Sequence, residues 1–128
     1  QVARAGTVVT PQESENLRTV MDQVYCDEKV GEYILDIVFA TRDPKAFKLA
    51  GMEQHIQLGA SPRATLYLNL AARANAMIHG RAYATPQDVK EIAADVLRHR
   101  IMITYEAEAE ELTSDDLISK ILSSLPVP

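Results

Sequence analysis

The 128 residues are 47% hydrophobic and 24% charged, which predicts one compact domain around one core and excludes a disordered or fibrous chain. Thirteen Lys and Arg against 18 Asp and Glu give a formal net charge of −5, which repels phosphate backbones and argues against nucleic acid as a partner. The single cysteine, Cys26, excludes an internal disulfide and favours the cytoplasm, and no apolar run is long enough to span a membrane.

Two helices are predicted before residue 43. Thr10, Pro11 and Glu13 have the spacing of an N-cap, a first-turn proline and a capping box. Asp27 is the predicted cap of the second helix, which runs to about Thr41. Each helix has apolar residues three and four apart, so each is expected to turn one face to the core. These residues are Leu17, Val20, Met21 and Val24 in the first helix and Val30, Tyr33, Ile34, Ile37 and Val38 in the second.

Residues 43–60 show no sustained hydrophobic period, and Pro44, Gly51 and Gly59 interrupt them. The pattern predicts a long irregular loop. Compact domains rarely contain about 15 structureless residues unless these contact a ligand or a partner. The segment is therefore a candidate interaction surface.

The third helix is predicted to begin with Ser61 as its N-cap and Pro62 in its first turn, and to end before Gly80. It is apolar nearly all round, which is typical of the central helix of a bundle. The stripe expected to face inward consists of Leu66, Leu70, Ala74, Met77 and Ile78.

Two further helices complete the predicted fold. Thr85 and Asp88 mark the start of a fourth helix that ends near Arg98, and Thr113 with Asp116 caps a fifth. Residues 101–105 are β-branched enough to form a short extended segment. The expected fold class is all-α, a small bundle of about five helices that allows one such segment.

Familiar catalytic motifs are missing. The five glycines never take the G-x-x-x-x-G-K-[ST] spacing of a phosphate-binding loop, so the chain alone is not expected to hydrolyse a nucleotide. One cysteine and no helical pair of histidines predict no metal site. The acidic run is expected to be a solvated face, with a divalent-cation site as the alternative. It consists of Glu106, Glu108, Glu110 and Glu111.

Arg63 stands out among the charged residues. It falls in the first turn of the third helix, where the helix dipole disfavours a cation by roughly 0.3 to 1 kcal/mol, and on the stripe expected to face inward. Two interpretations stay open. Either an anion such as a nucleotide phosphate binds Arg63 and free backbone N–H groups, or Arg63 pairs with Glu53 or Asp43. Structural or surface roles are predicted for Arg42, His55, His79, Arg98, His99 and Arg100.

Four runs of the sequence form a specific combination. They are residues 40–42 (Ala-Thr-Arg), 59–64 (Gly-Ala-Ser-Pro-Arg-Ala), 80–83 (Gly-Arg-Ala-Tyr) with the helix start at 85–89, and 96–101 (Val-Leu-Arg-His-Arg-Ile). Together they resemble the C-terminal lid of MoxR-type AAA+ ATPases, and the resemblance covers nearly the whole chain. It implies that residues 1–10 are a hinge from an ATPase core and that residues 11–128 are the helical lid domain.

The resemblance also implies a function. The full-length protein would be a ring-forming, chaperone-like ATPase that binds ATP with magnesium, while this part alone would bind no nucleotide tightly. Its partners would be its own ATPase core, neighbouring subunits and a client protein. Arg63 would be the sensor arginine that reaches the γ-phosphate, and Ser61 beside it would also contact the nucleotide.

Two other function classes stay open on the sequence alone. The first is an autonomous acidic helical adaptor that binds a partner protein through residues 43–60 or through the acidic run. The second is a helix-turn-helix DNA binder built on the helix that begins at Thr85, which the net charge of −5 disfavours.

Overall fold

The computed structural model describes residues 2–128, so that Gln1, the first residue of the predicted hinge, lies outside the described residues. The described chain forms six α-helices, two short 3₁₀ helices and a two-stranded sheet, and no helix in it has the length and apolar character to cross a bilayer. The α-helices are α1 (Pro11–Asp22), α2 (Glu28–Arg42), α3 (Ala64–Ile78), α4 (Pro86–Leu97), α5 (Tyr105–Ala109) and α6 (Ser114–Ser124), and the strands are β1 (Ile56–Leu58) and β2 (Met102–Ile103). The predicted helical bundle is confirmed, with α5 as a helix that the sequence did not predict.

Side-chain caps fix most of the predicted helix starts. The capping boxes of α4 and α6 are complete; in α4, Thr85 and Asp88 each accept a hydrogen bond from the other's backbone N–H. In α1 only half of the predicted box forms. Thr10 Oγ1 accepts from the Glu13 N–H at 3.2 Å, but within residues 2–128 the Thr10 N–H donates no reciprocal bond to the exposed Glu13 carboxylate.

The core lies between α2, α3, α4 and α6. The predicted inward face of α2 is confirmed, since the five apolar residues predicted to form it are all buried. The helices α3 and α4 pack as an antiparallel pair. Asn75 near the end of α3 hydrogen-bonds Asp88 near the start of α4, and Tyr67 near the start of α3 contacts Arg100 just beyond the end of α4.

The buried face of α3 differs from the predicted one. Its buried residues are Ala64, Leu68, Ala72 and Ala76. Leu66 and Leu70 are 63% and 44% exposed, so the prediction that they face the core is wrong. The alanines let α2 and α4 approach α3 closely, which leaves the larger side chains on the outer face.

The helix α1 lies on the surface, and none of its residues is buried. Leu17 and Val20 are about half exposed, so the prediction that the stripe faces the core is wrong for these two residues and right for Val24. The bundle holds α1 by its C-terminal end, where Arg73 of α3 donates to the Asp22 carbonyl at 3.4 Å and Val24 is buried just past the helix.

The sequence predicts a long irregular loop at residues 43–60, and this prediction is wrong. They form the 3₁₀ helices Pro44–Phe47 and Met52–Gln54 and then β1, which pairs antiparallel with β2. Leu49 and Met52 are 3% and 0% exposed, so the segment is anchored in the core. Its length therefore no longer supports an interaction loop of the kind that an autonomous adaptor would use.

Candidate functional site

The chain entering α3 is fixed to the end of α2. A Cβ at Gly59 would lie 2.2 Å from the Thr41 carbonyl oxygen and 2.8 Å from the Arg42 nitrogen, so only glycine fits there. The Ala60 N–H donates to Thr41 Oγ1 at 3.0 Å, and the Arg42 guanidinium donates to the Ala60 carbonyl oxygen at 3.1 Å. Arg42 therefore has the structural role predicted for it. The same contacts set the position of Arg63, three residues after Ala60.

Ser61 does not cap α3, in contrast to the prediction. The N-cap position is taken by Arg63, whose backbone is already helical at φ −61° and ψ −24°. The first N–H groups of α3 donate to carbonyl oxygens three residues earlier, at 2.9 to 3.1 Å. The Ser61 hydroxyl is exposed and makes no hydrogen bond to the rest of the described chain.

This tight first turn changes how an anion can bind. The N–H groups of Ala64, Thr65 and Leu66 already have acceptors, so the prediction that they are free for an anion is wrong. The guanidinium of Arg63 has no partner at this end of α3 within residues 2–128, and it can bind a phosphate through two parallel hydrogen bonds.

The Arg63 side chain is exposed and makes no hydrogen bond or ion pair within residues 2–128. The predicted alternative, a pair with Glu53 or Asp43, is therefore not found. Other arginines of the bundle have partners. Arg81 pairs with Asp88, for example, and Arg98 donates to Asp115 at 2.7 Å. Arg63 is thus a cation held in place by its backbone and available to a ligand from outside the domain.

A second arginine lies beside this position. The guanidinium carbon of Arg100 is 4.6 Å from the centroid of the Tyr67 ring, and Tyr67 follows Arg63 by one helical turn. Arg100 also donates to the Val96 carbonyl at the end of α4, at 2.6 Å. Sequence reasoning missed this contact. The four-residue spacing indicates that Tyr67 lies on the same helix face as Arg63. No sequence pattern near Tyr67 indicates that Arg100 contacts its ring.

Asp88 organises the other end of the α3–α4 pair. Its carboxylate is fully buried and accepts from the Thr85 N–H at 2.8 Å, from Asn75 Nδ2 at 2.9 Å and from the Arg81 guanidinium. Burial raises the pKa of this carboxyl, but the Thr85 and Asn75 hydrogen bonds and the Arg81 charge outweigh it, so the net pKa lies below the ordinary value. The ion pair thus gives Arg81 a structural role at this end of the α3–α4 pair.

One group of side chains has the spacing of metal ligands. Nitrogen or oxygen atoms of His79, Asp88 and Glu91 lie within 4.8 Å of one another. Both Asp88 oxygens already accept hydrogen bonds, and Glu91 accepts from Asn75 at 2.7 Å. The Arg81 charge beside Asp88 also repels a cation. The three side chains are therefore assigned to the packing of α3 against α4.

The acidic run extends along α5 and just beyond it, where its glutamates are exposed as predicted. Glu110 contacts His55 Nε2 at 2.9 Å, and the His55 side chain is 15% exposed. His55 is thus a loop residue with a structural contact, because the pairing of β1 with β2 brings Glu110, just beyond α5, to its ring.

Comparison with known proteins places these features in a family. The family described as AAA lid domain matches residues 50–121. Chaperone MoxR1 of Mycobacterium tuberculosis is 41% identical over 76% of the chain, and Protein MoxR of Paracoccus denitrificans is 32% identical over 99% of it. The crystal structure of a "putative ATPase" from Cytophaga hutchinsonii superposes with a TM-score of 0.88 and 38% identity over 91% of the chain.

The chain is much shorter than these proteins. It covers 26% of Chaperone MoxR1, 40% of Protein MoxR from Paracoccus denitrificans and 36% of the Cytophaga hutchinsonii protein. The matched part corresponds to the helical bundle described above.

Proposed function

Since the chain belongs to the AAA lid domain family, as the lid region of a MoxR-type AAA+ ATPase, we propose that it senses the nucleotide held by an ATPase core and carries that signal to the ring. The core would be supplied by the rest of the protein. ATP hydrolysis and chaperone-like remodelling of a client belong to that whole assembly, which the family names support in a general way.

The observation that carries this proposal is the unpaired guanidinium of Arg63. It is exposed, it has no carboxylate partner in residues 2–128, and its backbone is fixed against α2 through Gly59 and Ala60. A phosphate that binds this guanidinium displaces no existing ion pair within residues 2–128. Arg63 would bind the γ-phosphate of ATP and lose that partner after hydrolysis and phosphate release, so the lid would rotate relative to the core.

Ser61 would contact the same phosphate group. Its hydroxyl is exposed and is not used as a helix cap, so it is free to donate a hydrogen bond beside Arg63. Magnesium would accompany the nucleotide and neutralise its phosphates. The cationic start of α3 offers no carboxylate to hold it, and we assign the metal to the core.

Two apolar surfaces of the lid would contact the core and neighbouring subunits. One is the outer face of α3 with Leu66 and Leu70, and the other is the stripe of α1 with Leu17 and Val20. Large side chains left exposed on one face of a helix are typical of surfaces that a partner covers. Residues 1–10 would be the hinge between lid and core, and the assembly would operate in the cytoplasm.

The test is replacement of Arg63 by Ala in the full-length protein, followed by measurement of ATP turnover. Removing one preorganised donor to a transferring phosphoryl group lowers kcat by about 100-fold or more. Arg98→Ala is the matched control, because Arg98 is satisfied by Asp95 and Asp115. Unchanged turnover in the Arg63 variant would remove this residue from the mechanism.

A further inference from the structure

The environment of Tyr67 joins two arginines that are far apart in sequence. Side chains of an α-helix lean toward its N-terminus, so the Tyr67 ring lies over the turn that contains Arg63. Arg100 reaches the same ring from the end of α4, with its guanidinium carbon 4.6 Å from the ring centroid. The two cations therefore share one surface at the end of the α3–α4 pair.

The polar contacts of Arg100 leave its charge uncompensated. Its guanidinium donates to the Val96 carbonyl, which carries no net charge, at 2.6 Å, and it lies 2.6 Å from His99 Nε2. Within residues 2–128 it has no carboxylate partner. Arg98, two residues earlier, contacts both Asp95 and Asp115.

This arrangement is unusual for an acidic chain. The net charge is −5, yet neither Arg63 nor Arg100 is paired with an acid in the described part of the chain; Arg100 contacts Tyr67, and Tyr67 follows Arg63 by one helical turn. Two neighbouring cations repel each other, and an anion with several charges removes that repulsion. Stacking on Tyr67 holds the planar guanidinium of Arg100 in one orientation and leaves part of its N–H edge for such a ligand.

We propose that Arg100 is a second phosphate-binding residue of the lid, positioned by Tyr67, which contacts the phosphate chain of the nucleotide beside Arg63. The inference rests on the proposed function and extends it. The ligand is an oligophosphate with at least two charged groups, since one guanidinium alone would serve a single phosphate.

The test is the affinity of the full-length protein for a fluorescent ATP analogue with magnesium, measured by equilibrium titration. Arg100→Gln should weaken binding by about tenfold, the loss expected for one charge-assisted hydrogen bond. Arg100→Lys should recover part of this, because it keeps the charge without the stacking and the planar donors. Tyr67→Leu should give an intermediate loss, since Arg100 stays charged but loses its platform.

Arg98→Gln is the matched control, with the same change of charge two residues away and expected parental affinity, since its partners are Asp95 and Asp115. Parental affinity in Arg100→Gln together with weakened binding in Arg63→Ala would overturn the inference and leave the proposed function intact. Parental affinity in both would overturn both. A defect in ring assembly at parental affinity would also overturn it, because Arg100 would then be a subunit contact.

Should Arg100→Gln fail to fold, Tyr67→Leu decides the question, because residue 67 is 40% exposed and its replacement leaves the core intact. Parental affinity in that variant, at an unchanged melting temperature, would overturn the inference.

Discussion

Gly59 and Thr41 are in backbone contact so close that a Cβ at residue 59 would meet the Thr41 carbonyl oxygen at 2.2 Å. The contact joins the last turn of α2 to the segment that leads into α3. Two further hydrogen bonds, from the Ala60 N–H to Thr41 Oγ1 and from Arg42 to the Ala60 carbonyl, hold the same junction. The position of Arg63 is therefore set by close backbone contact and by two side-chain hydrogen bonds to Ala60.

Gly59→Ala should destabilise the fold. The added methyl group meets rigid backbone, so α2 and α3 must separate, and overpacking of this kind costs about 1 to 3 kcal/mol. Chemical denaturation would measure the loss. The control is Gly31→Ala, where nothing lies within 4 Å inside α2 and the helix should gain about 0.5 to 1 kcal/mol. Equal effects of the two substitutions would contradict the proposed contact.

Asp88 should make stability depend on pH. Its folded-state pKa lies below the ordinary 3.8, so its contribution is fully present above that value and is lost as the pH falls through the lower folded-state pKa. Asp88→Asn breaks a buried ion pair and should cost about 3 to 5 kcal/mol near neutral pH.

The difference in unfolding free energy between parent and Asp88→Asn should shrink in acid, as seen in denaturant titrations from pH 6 to pH 3. Asp116→Asn is the control, because Asp116 forms the same kind of capping box while exposed, and it should cost about 1 kcal/mol. A pH-independent difference for Asp88 would contradict the assigned interactions.

The two faces of α3 should respond oppositely to truncation. Leu68→Ala removes a fully buried side chain and should cost about 2 to 5 kcal/mol, whereas Leu66→Ala should change the unfolding free energy by less than about 0.5 kcal/mol. Thermal or chemical denaturation distinguishes them. Comparable losses at both positions would show that the outer face of α3 is packed within the domain.

Local chemistry made much of the fold predictable. The starts of α4 and α6 follow from Thr85 and Thr113, whose side chains bond to backbone groups three residues away. The orientation of α3 could not be predicted, because the helix is apolar on every side and the buried face was chosen by the small size of residues such as Ala72. That choice depends on neighbouring helices, which are remote in sequence.

Long-range contacts also limited the prediction of the site. Residues 43–60 lack a period of their own because their order comes from pairing Ile56 with Ile103 and from burial of Met52. Arg63 could be identified from its position at the start of a helix. Arg100 could not, since its contact with Tyr67 joins residues on two different helices.

The junction at Gly59 has a mechanical consequence. A force on Arg63 is transmitted along the chain to Ala60, three residues earlier, and from there to α2 through two hydrogen bonds. No flexible loop lies between Arg63 and this junction. Under the proposed function, a phosphate that moves Arg63 would therefore rotate the bundle as one rigid unit.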